Sequence, residues 1–373
     1  MRASMIFLLL ALLVLSGCKD KFELELRPSD KSLLVVEGIL NAGQGPTNIR
    51  LTQSVNLEDP VQIKPVPQAT VSVENANGDV YLFTATGNGN YVHNQLPLVY
   101  GEEYRLRIKA LGKEYLSDYV EVRQSPEIDS VTWVRGPDGL HIKANTHDAS
   151  NNTRYYKWDY DETWEIRSYY TAFYQYLGGS TIVPTMFPYN YRCWKYDFSN
   201  TINIGTTAQL QSDVLTGAPV QFIPEGSEKL SYRYSILLRQ QSITKPAYEY
   251  FQLMKKNTES IGTIFDPQPS ELKGNIRCIT DPMEGVLGYL TASNITEKRI
   301  FITAIEASWS YSPFCPSIDV KNHPDSIAAW VPSYLPYGAR ELAPGVVDYY
   351  EMAPATCVDC TKRGGNLSMP SYW

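Results

Sequence analysis

Three groups of residues in this sequence have the types and spacing to do chemistry. The first is Leu15-Ser16-Gly17-Cys18, which closes an apolar run that begins at Ile6. Arg2 supplies a positive start, the run has the length of a secretory leader and falls well short of a transmembrane helix, and small residues precede the thiol. This pattern is a lipobox. It predicts a diacylglycerol on the Cys18 sulfur, removal of residues 1–17 as a signal peptide, and acylation of the new amino terminus. The expected product is held at a membrane by a lipid anchor and does not span it.

The second group is the remaining cysteines, Cys193, Cys278, Cys315, Cys357 and Cys360. Export places them in an oxidising compartment, so at most two intramolecular disulfides form and one thiol is left over. All five are disulfide candidates, and the spacing leaves the pairing open. A preference falls on one of Cys357 and Cys360 joining Cys315 across the Pro-rich segment between them. Cys357-x-x-Cys360 has the spacing of a zinc or redox pair, yet a zinc ribbon needs a second such pair and a thioredoxin motif needs a βαβ context. The sequence offers neither, and disulfides fastening the C-terminal segment account for the motif.

The third group is Asp159, Asp161 and Glu162, an acidic cluster between Trp158 and Trp164, where paired carboxylates can serve glycoside hydrolysis. On a strand Asp159 and Asp161 share one face and the two tryptophans the other, so a solvated face over a packed aromatic face is the simpler account. His93, His141, His147 and His323 lack ligand spacing, and no HExxH, GxSxG, Walker loop or GxGxxG after a strand occurs. The sequence therefore predicts no catalytic residue, no metal, no cofactor and a protein that is not an enzyme.

Composition sets the setting for these groups. The 373 residues carry a formal net charge of -7, and Lys and Arg are scattered without the clustering that tracks a phosphate backbone, so nucleic acid is not an expected partner. Tyrosine, at 27 residues, is the unusual component, and strands and wet recognition surfaces are the two settings that favour a ring bearing a hydroxyl. The expected class is mainly β.

The elements that position these residues are short strands. Lys19-Asp20-Lys21-Phe22-Glu23 opens a tether over residues 18–30. Residues 31–124 read as a hairpin-built sandwich: Leu33–Leu40 is a buried first strand, Asn48–Gln53 alternates, and Ala69–Glu74 meets Val80–Phe83 across an Asn-Gly turn. With Asn88–Tyr91 and Gly101–Ile108, this unit resembles transthyretin-type or immunoglobulin-like regulatory domains. After Ser125-Pro126, residues 125–373 read as a larger fibronectin- or immunoglobulin-like β domain. Its strands start at Ile128, Gly139, Tyr155, Tyr232 and Arg299. The gaps between them predict an aromatic insertion over 167–228 and a helical insertion over 243–275. In the second, Thr244 caps, Pro246 suits the first turn, and Ala247, Tyr250, Phe251 and Met254 form one apolar stripe. The first holds Tyr169, Tyr170, Phe173, Tyr174, Tyr176, Phe187, Tyr189 and Tyr191 without a sustained period. Their rings either contact a glycan, a peptide or a partner's loops, or form a satellite core under the loop, and the sequence leaves both open. The expected contact residues are Tyr169, Tyr170, Phe173, Tyr174, Tyr176, Tyr189 and Tyr191.

Several ordered motifs match a family. Tyr155–Glu165, Ile204-Gly205-Thr206-Thr207, Ile264–Pro269, Gly274-Asn275-Ile276 and the ending Cys357–Trp373 resemble domain-of-unknown-function family 4249, over essentially the whole chain after the leader. The family is one of Bacteroidota lipoproteins, and the charged stretch after Cys18 resembles, in part, the signal that sends such proteins to the outer face of the outer membrane. Members are often encoded near TonB-dependent receptors. The resemblance implies a surface-exposed, lipid-anchored outer-membrane protein that partners a TonB-dependent outer-membrane β-barrel as a substrate-capture or lid subunit. The alternative is a structural subunit of an outer-membrane assembly or secretion complex. The family supplies no catalytic residues.

Overall fold

The computed structural model describes residues 32–55, 63–259 and 272–373. Cys18 with its lipobox, the tether and the Ile264–Pro269 motif lie outside the described residues. Among the described residues the chain is mainly strand, arranged as two sandwiches and a smaller C-terminal sheet.

The first sandwich faces two sheets toward each other. One runs in the order Val286–Leu287, Leu34–Gly38, Thr47–Gln53, Asn90–His93, Thr84–Gly87, and the other Ile276–Cys278, Lys113–Ser117, Glu103–Ala110, Ala69–Asn75, Val80–Leu82. Period-two alternation puts Ile49 and Leu51 on one inner face and Leu106 and Ile108 on the other, all fully buried. The predicted hairpin forms: Asn75 Oδ1 accepts from the N–H groups of Asn77 (3.0 Å) and Asp79 (2.9 Å), and Gly78 takes φ +92°.

This sandwich is not complete at residue 124. Ile276–Cys278 pairs with Lys113–Ser117 and Val286–Leu287 runs parallel to Leu34–Gly38, so the segment expected in the second domain closes an edge on each sheet of the first. Ile276, Cys278, Val286, Leu290 and Ala292 belong to the first core. Polar contacts seat the returning chain: Asn275 Nδ2 donates to the Leu290 carbonyl (2.9 Å), Leu290 N–H donates back to Asn275 Oδ1 (2.7 Å), and the Tyr115 hydroxyl donates to Glu284 (2.6 Å). Gly274 is required by close approach, since a Cβ there would lie 1.9 Å from the Gly288 carbonyl oxygen. Strands of two and three residues carry no readable period, which is why the boundary at residue 124 does not hold.

The second sandwich packs the sheet Arg192–Phe198, Tyr155–Arg167, Arg233–Ser242, Ile295–Thr303 against Ile128–Arg135, Gly139–His147, Val214–Pro224. Trp158 is fully buried between them, with its indole N–H on Gln240 Oε1 at 2.9 Å. Gly205 leaves room for it, because a Cβ there would meet the Trp158 ring at 2.8 Å. Residues 167–228 are therefore not one insertion. Arg192–Phe198, Asn203–Thr206 and Val214–Pro224 are sandwich strands, and only 168–191 leaves the fold. The alternation of Val214–Pro224 is broken by register shifts opposite Ile142/Lys143 and Ala144/Thr146, which hides the strand from a period-two reading.

The helix Lys245–Glu259 forms as expected, with Thr244 Oγ1 accepting from the Ala247 N–H at 3.3 Å. Ala247 and Tyr250 are buried, and the Tyr250 hydroxyl accepts from the Gly288 N–H (3.1 Å), so the helix is wedged against the segment returning to the first sandwich. Beyond residue 303 the strands Ile318–Lys321, Val346–Pro354 and Tyr334–Ala343 make a three-stranded antiparallel sheet that was not expected from the sequence.

Leu290→Ala should lower unfolding free energy by about 2–5 kcal/mol, the range for a leucine truncated in a closed core. Leu342→Ala, at a position 73% exposed, should stay within about 0.5 kcal/mol. Equilibrium denaturation of both variants checks whether the returning segment supports the first sandwich; equal midpoints would show that it does not.

Candidate functional site

The strand Tyr155–Arg167 delivers the chain to the excursion over 168–191. Its neck is closed by the Ser168 N–H on the Tyr191 carbonyl (2.8 Å) and the Ser168 hydroxyl on the Asn190 carbonyl (3.1 Å). The excursion carries its own hairpin, Tyr174–Gly178 with Thr181–Pro184. One disulfide fastens its foot to the C-terminal segment, and a second braces that segment internally. Cys193–Cys360 ties its foot across a sequence separation of 167, and Cys315–Cys357 closes the loop beside it. Cys315 thus pairs with one member of the Cys357/Cys360 motif, and Cys278 is the thiol left over, buried in the first sandwich. Since Cys357 and Cys360 bond to different partners, the C-x-x-C motif is neither a zinc pair nor a redox pair.

Backbone bonds complete the joint. Tyr170 N–H donates to the Cys357 carbonyl (3.0 Å), Cys360 N–H to the Asn190 carbonyl (3.0 Å), and Phe173 N–H to the Tyr337 carbonyl (3.2 Å). Asp359, 2% exposed, accepts from Asn190 Nδ2 and from the N–H of Thr361.

This joint decides the fate of the seven tyrosine and phenylalanine residues expected to contact a ligand. Tyr170, Tyr176 and Tyr189 pack against Ala172, Leu335, Ala353, Cys357 and Val358, and Tyr170 stacks on Tyr337 with centroids 4.0 Å apart. Tyr174 meets Tyr350 edge-on at 5.6 Å in a second small core with Val320 and Met352. These four rings help build the satellite cores while staying partly exposed, and Tyr174, Tyr176 and Tyr189 also line a small cavity of about 150 Å³. An ordered excursion with few aliphatic residues needs them as its interior. Tyr169 and Phe173 do face outward, at 54% and 46% exposure, and Tyr191 lines a cavity. The outward face also includes Met186, Phe187 and Phe314, of which Phe314 at 90% exposure lies in no segment singled out from the sequence.

Beside the neck sits a cavity of about 230 Å³ lined by Arg167, Tyr169, Tyr191, Tyr232, Tyr311 and Arg363. The arginines were missed in the sequence because they are isolated there and meet only through the fold. Glu165, 2% exposed, holds Arg167 Nε and Arg192 Nη2, each at 2.6 Å. Burial pushes its carboxyl up, and the hydrogen bonds from Arg192 and Arg167 pull it down further, leaving it below the usual glutamate value. Glu228 holds Lys195 (2.7 Å) and Arg363 (2.6 Å) in the same way.

Asp161 and Glu162 do not face a common site, and Asp159 is ion-paired with Lys157. Asp161 bonds to Arg239 on one face of its strand. Glu162 is 1% exposed on the other, with the Tyr234 hydroxyl at 2.7 Å, Gln221 at 3.2 Å and Lys229 on its second oxygen. Two carboxylates on opposite sides of a sheet cannot flank one bond. Among the described residues no group of three His, Cys, Asp or Glu side chains is placed to hold a metal ion. Wider clefts at the junction of the sandwiches, about 640 and 430 Å³, are walled by charges already paired, Arg123 with Glu121 and Lys157 with Asp159.

A family model described as "Domain of unknown function (DUF4249)" matches residues 19–299, a span that takes in both sandwiches and stops before the C-terminal sheet. The resemblance read over essentially the whole chain is thus carried as far as residue 299. No curated protein matches the chain. Among solved structures it is similar to the chicken interferon gamma receptor alpha chain, at 12% identity over 57% of this chain and 89% of that one, with a TM-score of 0.16. A two-domain fibronectin type III segment of chicken tenascin gives 11%, 56%, 91% and 0.17 in the same order. Chitinase ChiA74 from Bacillus thuringiensis gives 14%, 52%, 28% and 0.16. Overlap at that level carries no argument about this chain.

The lowered pKa of Glu165 fixes a pH dependence. Its contribution to stability is fully present above the unfolded glutamate value and is lost as pH falls through the lower folded value. Glu165→Gln should cost about 1–3 kcal/mol at neutral pH, because it removes a buried counter-charge from two guanidinium groups that water partly screens. It should also flatten the acid limb of the stability profile. Chemical denaturation from pH 7 to pH 3 checks both, and an acid limb identical to the parent chain's would refute the assignment.

Proposed function

The chain belongs to the DUF4249 family, and from that premise we propose that it is a lipid-anchored protein of the outer membrane. It faces the cell surface and partners a TonB-dependent transporter, in substrate capture or as part of the lid. The lipobox at Cys18 supports the anchor. The observation that carries the partnership is a set of outward apolar side chains, Tyr169, Phe173, Met186 and Phe187 on the excursion and Phe314 on the adjoining C-terminal segment, all at least 46% exposed.

Exposed apolar side chains scattered singly need no explanation, but these are gathered on one joint. The Phe173 carbonyl accepts the Thr185 N–H at 2.7 Å, the Thr185 hydroxyl in turn donates to the Phe187 carbonyl at 2.9 Å, and Phe314 adjoins the Cys315–Cys357 disulfide. Rings presented on a cross-linked frame lose little conformational entropy when a partner covers them, which is how aromatic anchors contribute most to an interface. Loops of a β-barrel fit such a face.

Two measurements test the reading. Mass spectrometry of the native product should find residues 1–17 absent and Cys18 acylated, and Cys18→Ser should release the protein from the membrane fraction. Affinity purification of the full-length tagged protein from solubilised membranes should recover a barrel of the transporter class. The pair Phe187→Ser and Phe314→Ser should reduce that recovery about tenfold or more, as loss of hot-spot contacts does, with an unchanged melting temperature. Recovery of an assembly-machinery barrel instead would favour a structural subunit of an assembly or secretion complex.

A further inference from the structure

The cavity beside the neck of the excursion is lined by two cations, Arg167 and Arg363, each of which shares its carboxylate with a cation outside the lining. Glu165 is shared by Arg167 and Arg192, and Glu228 by Lys195 and Arg363. Each carboxylate oxygen already accepts from one cation: Glu165 Oε1 from Arg167 and Oε2 from Arg192, Glu228 Oε1 from Arg363 and Oε2 from Lys195. Four cations therefore stand around two carboxylates, in a chain whose formal net charge is -7.

The arginines play different parts. Arg363 is 14% exposed and fixed, with Nη1 on Glu228, Nη2 on the Arg167 carbonyl, and a buried Nε without a hydrogen-bond partner. It supplies field more than contact. Arg167 is 35% exposed and bonds Glu165 through Nε, so its terminal nitrogen edge is the part left for a ligand. The guanidinium lies 4.3 Å from the centroid of the Tyr232 ring, which holds its plane.

The phenols complete the lining. Burial raises the Tyr232 pKa, the neighbouring Tyr191 adds to it, and Arg167 and Arg363 oppose it, which places two phenols and two guanidinium groups within electrostatic reach of one another. A protonated phenol donates a hydrogen bond at neutral pH. An open guanidinium edge, phenols and aromatic walls suit a planar anion on an apolar body, and a guanidinium edge matches a carboxylate in geometry. The volume, about 230 Å³, lies below that of pockets for drug-sized molecules.

We propose that this cavity binds the carboxylate of a group one residue or one sugar ring in size, either the C-terminal residue of a peptide or a uronic acid. This deepens the substrate-capture side of the proposed function. The binding is a property of the isolated chain, so a failed membrane purification would leave it standing, and a failed titration would leave the transporter pairing standing.

Calorimetric or NMR titration of the folded ectodomain with N-acetyl-tyrosine and methyl β-glucuronide tests it, with N-acetyl-tyrosine amide and methyl β-glucoside as neutral counterparts. At least one carboxylate should bind about tenfold or more tightly than its counterpart, with the gap narrowing as salt rises. The arm that binds identifies the source. Arg167→Gln should abolish the preference. Because Arg167 also serves Glu165, Tyr191→Phe and Tyr232→Phe are the second test: each should weaken the carboxylate several-fold with an unchanged melting temperature. Equal binding of charged and neutral partners, no binding of either carboxylate, or full affinity in the folded phenylalanine variants would overturn the proposal.

Discussion

The pairing of Tyr155–Arg167 with Arg233–Ser242 is the constraint on which the rest of the structure depends. The register runs unbroken from Tyr156 opposite Ser242 to Trp164 opposite Tyr234. The same strand pairs on its other edge with Asn203–Thr206 near its start and Arg192–Phe198 near its end. Alternation along it turns Tyr156, Trp158, Tyr160, Glu162, Trp164 and Ile166 into the core, and a slip of one residue would send Asp159 and Asp161 there instead. The inward Glu162 strengthens the choice. Its partners, Tyr234 from the adjacent strand, Gln221 from the facing sheet and Lys229, are available in one register only. A buried carboxylate deprived of such partners costs several kcal/mol, so the ion acts as a pin on alignment more than as a source of net stability.

The end of that strand sets the position of everything in the candidate site. Glu165, Arg167 and Ser168 are consecutive outcomes of one register: the first buried and charged, the second at the cavity, the third closing the neck. The excursion beyond Ser168 cannot rely on a sandwich for its core, and tyrosine solves the problem. The rings of Tyr170, Tyr174, Tyr176 and Tyr189 provide apolar area while their hydroxyls keep to polar groups, as with Tyr170 on the Cys315 carbonyl at 2.9 Å. The disulfides then limit the freedom of a unit whose own cores are small.

Legibility in the sequence depends on how each element stores its information. The Asn75–Asp79 hairpin, the helix from Lys245 and the inward face of Tyr155–Arg167 were readable because turn chemistry, capping and alternation are local. The count of two disulfides and one leftover thiol was readable because cysteine arithmetic needs no coordinates, but that Cys278 is the free one and that Cys193 joins Cys360 was not. Val214–Pro224 was not, because its bulges destroy the period, and neither were Ile276–Cys278 and Val286–Leu287, whose edges exist only once the first sandwich has formed. The aromatic excursion was visible as density, but whether a given ring faces in or out is set by Leu335, Ala353 and Val358, far along the chain. Arg167 and Arg363 shared no motif at all, and their neighbourhood is a product of Cys193–Cys360 and of Glu228.

The excursion draws its interior from two distant parts of the chain. Residues 168–191 fall inside the span that the family model matches, yet the residues that core them, from Cys315 to Val358, fall beyond residue 299. The Cys193–Cys360 bond is the covalent tie between the two. Residues 276–293 return to close the first sandwich and Ile295–Thr303 closes an edge of the second, whose core also takes Ala307, Trp309 and Cys360 from beyond residue 299. The satellite cores under the excursion need the C-terminal sheet, whereas the arginine cavity draws Arg167, Tyr169, Tyr191 and Tyr232 from the matched span and Tyr311 and Arg363 from beyond it. A chain holding only the matched span would have to bury Tyr170, Tyr174 and Tyr189 in some other way, or leave them wet. The proposed recognition therefore draws on residues from both sides of residue 299, held together by the Cys193–Cys360 bond.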